Sequence, residues 1–214
     1  MTKLIVSLLL ALLASCSHPP LSKADLKAYI QAKITYEQGQ FTQAHSALNS
    51  ILKTRPDFFQ ARFLRAKSEF FTNDLKAAES DLLKIIHPHP DHLQARFWIV
   101  LVKLQTNRVD QAASNLDTLL SLDPQDYRLL YERGLVYLKK NDVQNALDFF
   151  RQASLDEPDL AKPRIEAGRL LFGLGDIPTA LEQLKRAQIL VGETSPLSPS
   201  IKSMIQTISK AQKP

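Results

Sequence analysis

The sequence is short of cysteine, of glycine and of net charge. It has one cysteine and six glycines among 214 residues, and its formal charge is only +5. A single cysteine excludes a disulfide framework within the chain. No glycine-rich phosphate loop is present, and so modest a charge does not by itself indicate a nucleic-acid-binding protein. The sequence also shows no catalytic constellation, so we expect neither an enzyme nor a cofactor.

What the chain does contain favours a helical globular fold. Leucine, alanine, glutamine and lysine are plentiful, and 44% of the residues are hydrophobic against 23% charged. These proportions are typical of a globular protein and not of a disordered one. Because those residues are good helix formers and β-branched runs are few, the composition favours α-helix.

The N-terminus carries an apolar run too short to cross a bilayer. Residues 4–13 are apolar after a single lysine, and Leu13-Ala14-Ser15-Cys16 follows. This arrangement suits a secretory signal and resembles a bacterial lipobox. The resemblance implies that residues 1–15 form a signal peptide and that Cys16 is acylated and holds the chain to a membrane. In lipoproteins of Gram-negative bacteria, a serine after the cysteine, here Ser17, implies the outer membrane, facing the periplasm; the sequence does not identify the host. Residues 16–24 form the lipidated end and a short tether.

Five rows of residues recur every 34 positions, which indicates an internal repeat. The rows are Pro56, Pro90, Pro124 and Pro158; Ala44, Ala78, Ala112, Ala146 and Ala180; Phe41, Leu75, Val109, Val143 and Ile177; Leu48, Leu82, Leu116, Phe150 and Leu184; and Gly39, Asn73, Asn107, Asn141 and Gly175. Gly or Asn can end a helix in the left-handed conformation, and Asp74, Asp142 and Asp176 can cap the next helix. The small alanines allow close helix approach. Each unit is therefore predicted to be a helix hairpin, the first at about 25–38 and 41–54.

A 34-residue helix hairpin with a small residue in its second helix and a terminal proline resembles the tetratricopeptide repeat (TPR) family. The best match, at 127–160, has Gly134, Tyr137, Ala146, Phe150, Ala153 and Pro158 on the family motif. The resemblance implies an all-α fold, a right-handed superhelix of five repeats at 25–58, 59–92, 93–126, 127–160 and 161–192. In residues 193–214, Ile201, Met204, Ile205 and Ile208 share a helical face after a candidate N-cap, Ser200. This segment is predicted to be a capping helix and tail.

The segment Ile85 to His92 holds three histidines and an aspartate within six residues. Pro90 belongs to the proline row, so His87 and His89 fall in the turn between repeats two and three, where other repeats have varied polar residues. A zinc site needs three or four converging ligands. We interpret the histidines as solvated turn residues and predict no metal site.

Positive charge concentrates in the first helix of each predicted hairpin. The first helices sum to +9 and the second helices to 0. A cleft lined by one sign of charge attracts the opposite sign, so we predict a partner-binding groove on the first helices. The candidate groove residues are Arg62, Arg65, Lys67, Phe71, Arg96, Lys103, Arg128, Arg133, Arg164 and Arg169.

Two further rows on the first helices are apolar throughout. They are Tyr29, Phe63, Phe97, Tyr131 and Ile165, and Tyr36, Phe70, Leu104, Leu138 and Phe172. These residues form either the floor of a groove or part of the core, and the sequence leaves both open. Phe71 is the predicted exposed aromatic in either case.

The sequence leads to two hypotheses about function. The first is a membrane-anchored scaffold that binds an acidic or amphipathic segment of a protein partner, as implied by its similarity to TPR lipoproteins of pilus, secretin and outer-membrane assembly. The second is an accessory lipoprotein of a periplasmic transport system, in which the aromatic rows line an apolar ligand cavity. Neither hypothesis involves nucleic acid.

Overall fold

The computed structural model describes residues 20–154 and 160–211, and these ranges form eleven α-helices with no β-strand. In chain order the helices are α1 Lys23–Glu37, α2 Phe41–Thr54, α3 Phe59–Phe71, α4 Leu75–Ile86, α5 Leu93–Gln105, α6 Val109–Leu122, α7 Tyr127–Lys139, α8 Val143–Ala153, α9 Ala161–Gly173, α10 Ile177–Val191 and α11 Ser198–Ala211. The predicted all-α fold class is confirmed. None of these helices combines the length and apolar character needed to span a membrane. The signal peptide, Cys16 and Pro158 lie outside the described residues.

The helices pair as five successive hairpins followed by α11. In each hairpin we call the first helix A and the second helix B. The B helices begin at Phe41, Leu75, Val109, Val143 and Ile177, the row predicted from the sequence. Helix α1 begins two residues earlier than predicted, because Ser22 and Asp25 form a capping box in which each side chain accepts from the other's backbone N–H.

The turn between the A and B helices is set by the Gly/Asn row. All five of its members have positive φ: Gly39 76°, Asn73 64°, Asn107 57°, Asn141 60° and Gly175 83°. This left-handed conformation is tolerated by glycine and, among other residues, mainly by asparagine. The predicted caps are also confirmed: Asp74, Asp142 and Asp176 each accept a hydrogen bond from a backbone N–H three residues ahead, at 3.2 Å.

The core follows the alanine row and the row four residues after it. Every alanine of the row is fully buried, and the residues that follow, from Leu48 to Leu184, are at most 1% exposed. Helices α7 and α8 also approach closely at Gly134 of α7, where an added Cβ atom would lie 2.5 Å from the ring of Phe150 in α8. The small residues are therefore required by helix contact, as predicted.

The chain divides into two compact units, residues 1–91 (unit 1) and 92–214 (unit 2). Unit 1 contains α1–α4, and its core includes Ala44, Leu48, Phe58 and Leu64. Unit 2 contains α5–α11, and the apolar clusters of its described residues include one around Leu116 and one around Phe150.

Helix α11 closes the second cluster of unit 2. Its Ile201 and Ile208 are buried, and Met204 and Ile205 are partly buried against the same cluster, as the predicted face requires. The helix begins at Ser198, so Ser200 lies in its first turn and the prediction that Ser200 is the N-cap is wrong. Pro199 is compatible with this earlier start because a first-turn proline leaves no intrahelical hydrogen bond unmade.

The histidine segment forms the turn between α4 and α5. His87 and His89 are exposed, as expected for turn residues, and the ring of His89 lies 5.8 Å from that of Phe59. His92 caps α5, because its Nδ1 atom accepts a hydrogen bond from the backbone N–H of Ala95 at 3.1 Å. In the two described ranges, no group of three or more His, Cys, Asp or Glu side chains is placed to hold a metal ion.

Candidate functional site

The A helices of unit 2, α5, α7 and α9, contribute to one open cavity of about 220 Å³. We call it the A-helix cavity. Its lining combines aromatic, apolar and charged side chains: Phe97, Tyr127, Arg128, Tyr131, Glu132, Leu160, Lys162 and Pro163. Phe97 and Tyr131 are one repeat apart in the first apolar row, so the 34-residue period brings their rings to the same cavity.

Arg128 is the charged residue at the exposed start of α7. Its side chain is 60% exposed and forms an ion pair with Asp126, the N-cap of α7. Hydrogen bonding to that carboxylate raises the pKa of Arg128. The guanidinium carbon also lies 5.9 Å from the centre of the Phe97 ring, within the range of a cation–π contact. These two contacts hold a positive charge beside the aromatic wall.

Glu132 adds a buried acid to the same cavity. It is 9% exposed, and burial raises its pKa to about 7, although the charge of Lys162 partly opposes this. Among the described residues no hydrogen bond or ion pair reaches its carboxylate. A buried polar group without a partner is costly, so this carboxylate favours either a proton or a donor supplied by a ligand.

The two apolar rows lie between core and surface. In unit 1, Tyr29 and Tyr36 pack against the core, and Tyr29 contacts Phe58 at a ring distance of 5.0 Å. In unit 2, Tyr131 packs against Phe150, and Leu104 is 5% exposed. Both alternatives, core and groove, therefore apply to these rows. Their side chains pack partly in the core, and Phe97 and Tyr131 also line the cavity.

Arg62 and Arg65 are engaged inside unit 1. Asp81 of α4 is 3% exposed and accepts from both, at 3.2 Å from Arg62 and 2.7 Å from Arg65. Arg65 also donates to Asn49 at 2.9 Å. Because these guanidinium groups compensate a buried carboxylate, their role is intramolecular, and we do not retain them in the proposed partner site.

Lys67 and Phe71 belong to an aromatic cluster at one end of unit 1. Phe71 is 49% exposed, as predicted, and stacks on Phe41 with a centroid distance of 4.5 Å. The Nζ atom of Lys67 lies 4.8 Å from the centre of the Tyr36 ring. Burial lowers the pKa of Lys67, so this lysine is part of the cluster and not a fully solvated charge.

The remaining candidate groove residues lie at different places in unit 2. Arg133 pairs with Asp117 and donates to the carbonyl of Ala113, which ties α7 to α6. Arg164 donates to Gln183 and to the carbonyl of Ser154.

Three candidates are left. Arg169 lies 3.6 Å from Glu166 and faces a separate cavity beside Phe172 and α11. Arg96 and Lys103 are half-buried on α5. Of the ten candidates, Arg128 is the one that the structure places in the A-helix cavity.

Sequence reasoning missed Glu132 and Asp81, although a signal was present. Glu132 stands three residues after Leu129 and four before Val136, both buried. Asp81 lies similarly between Ala78 and Ile85. An acid on a buried helical stripe needs a cation, a proton or a ligand, so the interruption of each stripe could have identified both residues.

Comparisons with known proteins agree on the fold. The sequence model described as tetratricopeptide repeat matches residues 31–92 and 99–159, and no protein of curated function matches the chain.

Solved structures resemble it at low identity. MamA from Desulfovibrio magneticus is 17% identical over 79% of this chain and 96% of its own, with a TM-score of 0.65. A tetratricopeptide repeat protein from Parabacteroides merdae is 18% identical over 85% and 70%, with a TM-score of 0.71. A thermophilic TPR protein from Thermus thermophilus is 18% identical over 87% and 99%, with a TM-score of 0.69.

Proposed function

This chain belongs to the tetratricopeptide repeat family, and from that premise we propose that it is a non-catalytic protein-binding scaffold anchored to a membrane of the bacterial envelope. The A-helix cavity is the observation that carries the proposal. It offers a partner aromatic walls, an exposed guanidinium and a buried carboxylate. Aromatic and arginine residues grouped around a pocket are typical of the sites that dominate binding between proteins.

The chemistry of the cavity favours an acidic or amphipathic partner segment. Arg128 and Lys162 are exposed at the cavity, and they attract acidic side chains of a partner. An apolar or aromatic side chain of the same segment can then pack on Phe97 and Tyr131. Helix-in-groove recognition combines these two contributions.

The membrane anchor rests on the sequence of the N-terminus. The apolar residues 4–13 and the solitary Cys16 support an acylated chain, and Ser17 supports the outer membrane, facing the periplasm. A scaffold at that surface fits the assembly of envelope machinery such as a pilus or a secretin.

A second candidate function is ligand binding in a periplasmic transport system. The observation that favours it is the placement of Phe97 and Tyr131 around an open cavity. However, small-molecule sites usually have volumes of about 300–1,000 Å³, and this cavity is smaller and bordered by three charged side chains. It fits one anchoring side chain better than a complete ligand.

Affinity capture with a charge-reversed cavity tests the scaffold. We expect Arg128→Glu to weaken capture of the partner from solubilised envelopes by about tenfold, and to reduce its salt dependence. The matched control is Arg151→Glu, because Arg151 is 50% exposed on α8 and also lies near an aspartate, Asp148. Equal effects of the two substitutions, or no effect of either, would exclude the cavity as the binding site.

The anchor has a separate test. Mass spectrometry of the mature N-terminus should find acyl chains on Cys16, and Cys16→Ala should move the protein out of the membrane fraction. A mature chain that keeps residues 1–15, or a free Cys16 thiol, would contradict the anchor and leave the cavity proposal standing.

A further inference from the structure

Helix α1 has two apolar faces, and only one of them is covered by the described residues. On the inner face, Tyr29 and Tyr36 pack against the core of unit 1, and Ala32 is 1% exposed. On the outer face Leu26 is 42% exposed, Ile30 56% and Ile34 41%. A surface helix normally has one apolar stripe, which faces the core, so the second aliphatic stripe of α1 indicates a further contact surface.

The outer face is also basic. With 100° per residue, Lys23, Lys27 and Lys33 fall within about 60° of the centre of the stripe formed by Leu26, Ile30 and Ile34. All three lysines are exposed.

The acids of α1 do not cancel this charge. Glu37 lies on the same face and pairs with Lys33 at 3.7 Å, so three lysines against one glutamate leave a net charge of +2. Asp25 points elsewhere, since it bonds to Ser22 and lies 3.4 Å from Arg55.

An aliphatic stripe bordered by lysines matches the surface of an anionic bilayer. In that setting the aliphatic side chains enter the boundary between headgroups and acyl chains, while the lysine stems extend along it and keep their ammonium groups in water. Anionic lipids attract clustered lysines near the surface. A protein partner would need an apolar groove with acidic edges, which is a more demanding surface.

The position of α1 in the chain favours the same partner. Cys16 precedes Lys23 by seven residues, a length that reaches no further than about 25 Å when fully extended. If Cys16 carries the lipid, as the proposed function holds, α1 is the first helix after the anchor and stays close to the bilayer. The position of α1 supports a membrane contact only together with that proposed anchor, whereas the composition of the outer face is independent of the anchor.

We propose that the outer face of α1, formed by Lys23, Leu26, Lys27, Ile30, Lys33 and Ile34, lies on the surface of an anionic lipid bilayer. The contact orients unit 1 at the membrane and removes the exposed aliphatic stripe from water.

Site-specific fluorescence tests this contact in the full chain. Ile30→Cys is labelled with an environment-sensitive dye, and the protein is reconstituted into phosphatidylcholine vesicles with or without phosphatidylglycerol. We expect a blue shift and protection from aqueous iodide only when phosphatidylglycerol is present. The control is Ile189→Cys in α10, which is 79% exposed and should show neither change. Lys23→Gln with Lys27→Gln should abolish the response at position 30.

A second label at Ile34→Cys guards against a local effect of the first substitution, and unchanged melting by circular dichroism confirms that each variant folds. Labelling of Cys16, detected by mass spectrometry, would show that the anchor fails. The docking is then measured separately, with a Cys16→Ser chain added to the same vesicles.

Three results would overturn the proposal. The first is the absence of a response at either position on anionic vesicles. The second is a response without lipid that rises with protein concentration, which would assign the face to a second copy of the chain. The third is a response without lipid that does not depend on concentration, which would assign it to the chain's own N-terminal residues.

Discussion

The buried carboxylate of Glu69 predicts that the stability of unit 1 falls as the pH rises, and that Glu69→Gln removes most of that fall. Glu69 is 4% exposed, and its Oε2 atom has no hydrogen-bond partner among the described residues. Burial raises its pKa from 4.5 to about 7, and the carboxylate of Asp81 adds to the effect while Arg65 partly opposes it.

The groups that face Glu69 come from three helices. His45 of α2 lies 3.4 Å from its Oε1 atom and is charged only when protonated, and Arg65 lies 3.6 Å away on the same helix, α3. Asp81 and Lys84 of α4, together with Asp74, supply the remaining charges.

The sign of the effect follows from which state holds the proton more tightly. The folded chain binds the Glu69 proton more strongly than the unfolded chain does. The resulting stability is fully present below pH 4.5 and is lost as the pH rises through about 7. The difference between those two pKa values corresponds to about 3 kcal/mol. Glutamine keeps the shape of the side chain but cannot ionise, so Glu69→Gln does not lose this stability as the pH rises.

Urea unfolding followed by circular dichroism, from about pH 5 to about pH 8.5, measures the effect. The free energy of unfolding of Glu69→Gln, minus that of the wild type, should rise by about 2–3 kcal/mol across this range. Glu132 is present in both proteins, so its own titration cancels in the difference. Glu182→Gln is the control, because Glu182 is 53% exposed and pairs with Arg186. A difference for Glu69→Gln that stays constant with pH would refute the reasoning.

Two further predictions concern the repeat itself. Gly134→Ala should lower the free energy of unfolding by about 1–3 kcal/mol because the added methyl group meets Phe150. Gly173→Ala should raise the free energy of unfolding by about 0.5–1 kcal/mol, because no atom lies within 4 Å of the Cβ added there. Both are measured by urea unfolding, and a similar response at the two glycines would contradict the close approach of α7 and α8. Asn107→Ala should lower the free energy of unfolding by about 1 kcal/mol because φ is 57° at this position. Asn107→Gly should melt close to the wild type. Equal losses of stability in the two variants would mean that Asn107 is not needed for the left-handed turn.

The fold was predictable because its determinants recur. Each turn between an A and a B helix contains a left-handed Gly or Asn, and each B helix contains a fully buried alanine. Both features recur five times at a fixed spacing, and an aspartate caps three of the five B helices. Repetition makes a weak local signal reliable, since a chance residue does not recur in register. The B helices therefore begin where the sequence places them.

The candidate site was less predictable because charge along a helix does not say which way a side chain points. Arg62 and Arg65 were assigned to a groove, yet they compensate Asp81, a residue 16 or more positions away in the chain. Glu132 was missed for a related reason. In the sequence it only adds a negative charge to helix α7, whereas in the structure burial beside Tyr131 raises its pKa. Side-chain pairing between helices depends on three-dimensional packing that a periodic pattern does not specify.

The A helices of the two units depart from the repeat in different ways. In unit 1, Asp81 pairs with Arg62 and Arg65 of α3, and the outer face of α1 exposes an aliphatic stripe. In unit 2, the A helices leave a cavity in which Glu132 has no partner among the described residues. Positions that break a local rule are expected to be functional or strained sites. Both proposals start from such positions: the exposed basic, aliphatic face of α1 is the proposed membrane contact, and the cavity around the buried carboxylate of Glu132 is the proposed partner site.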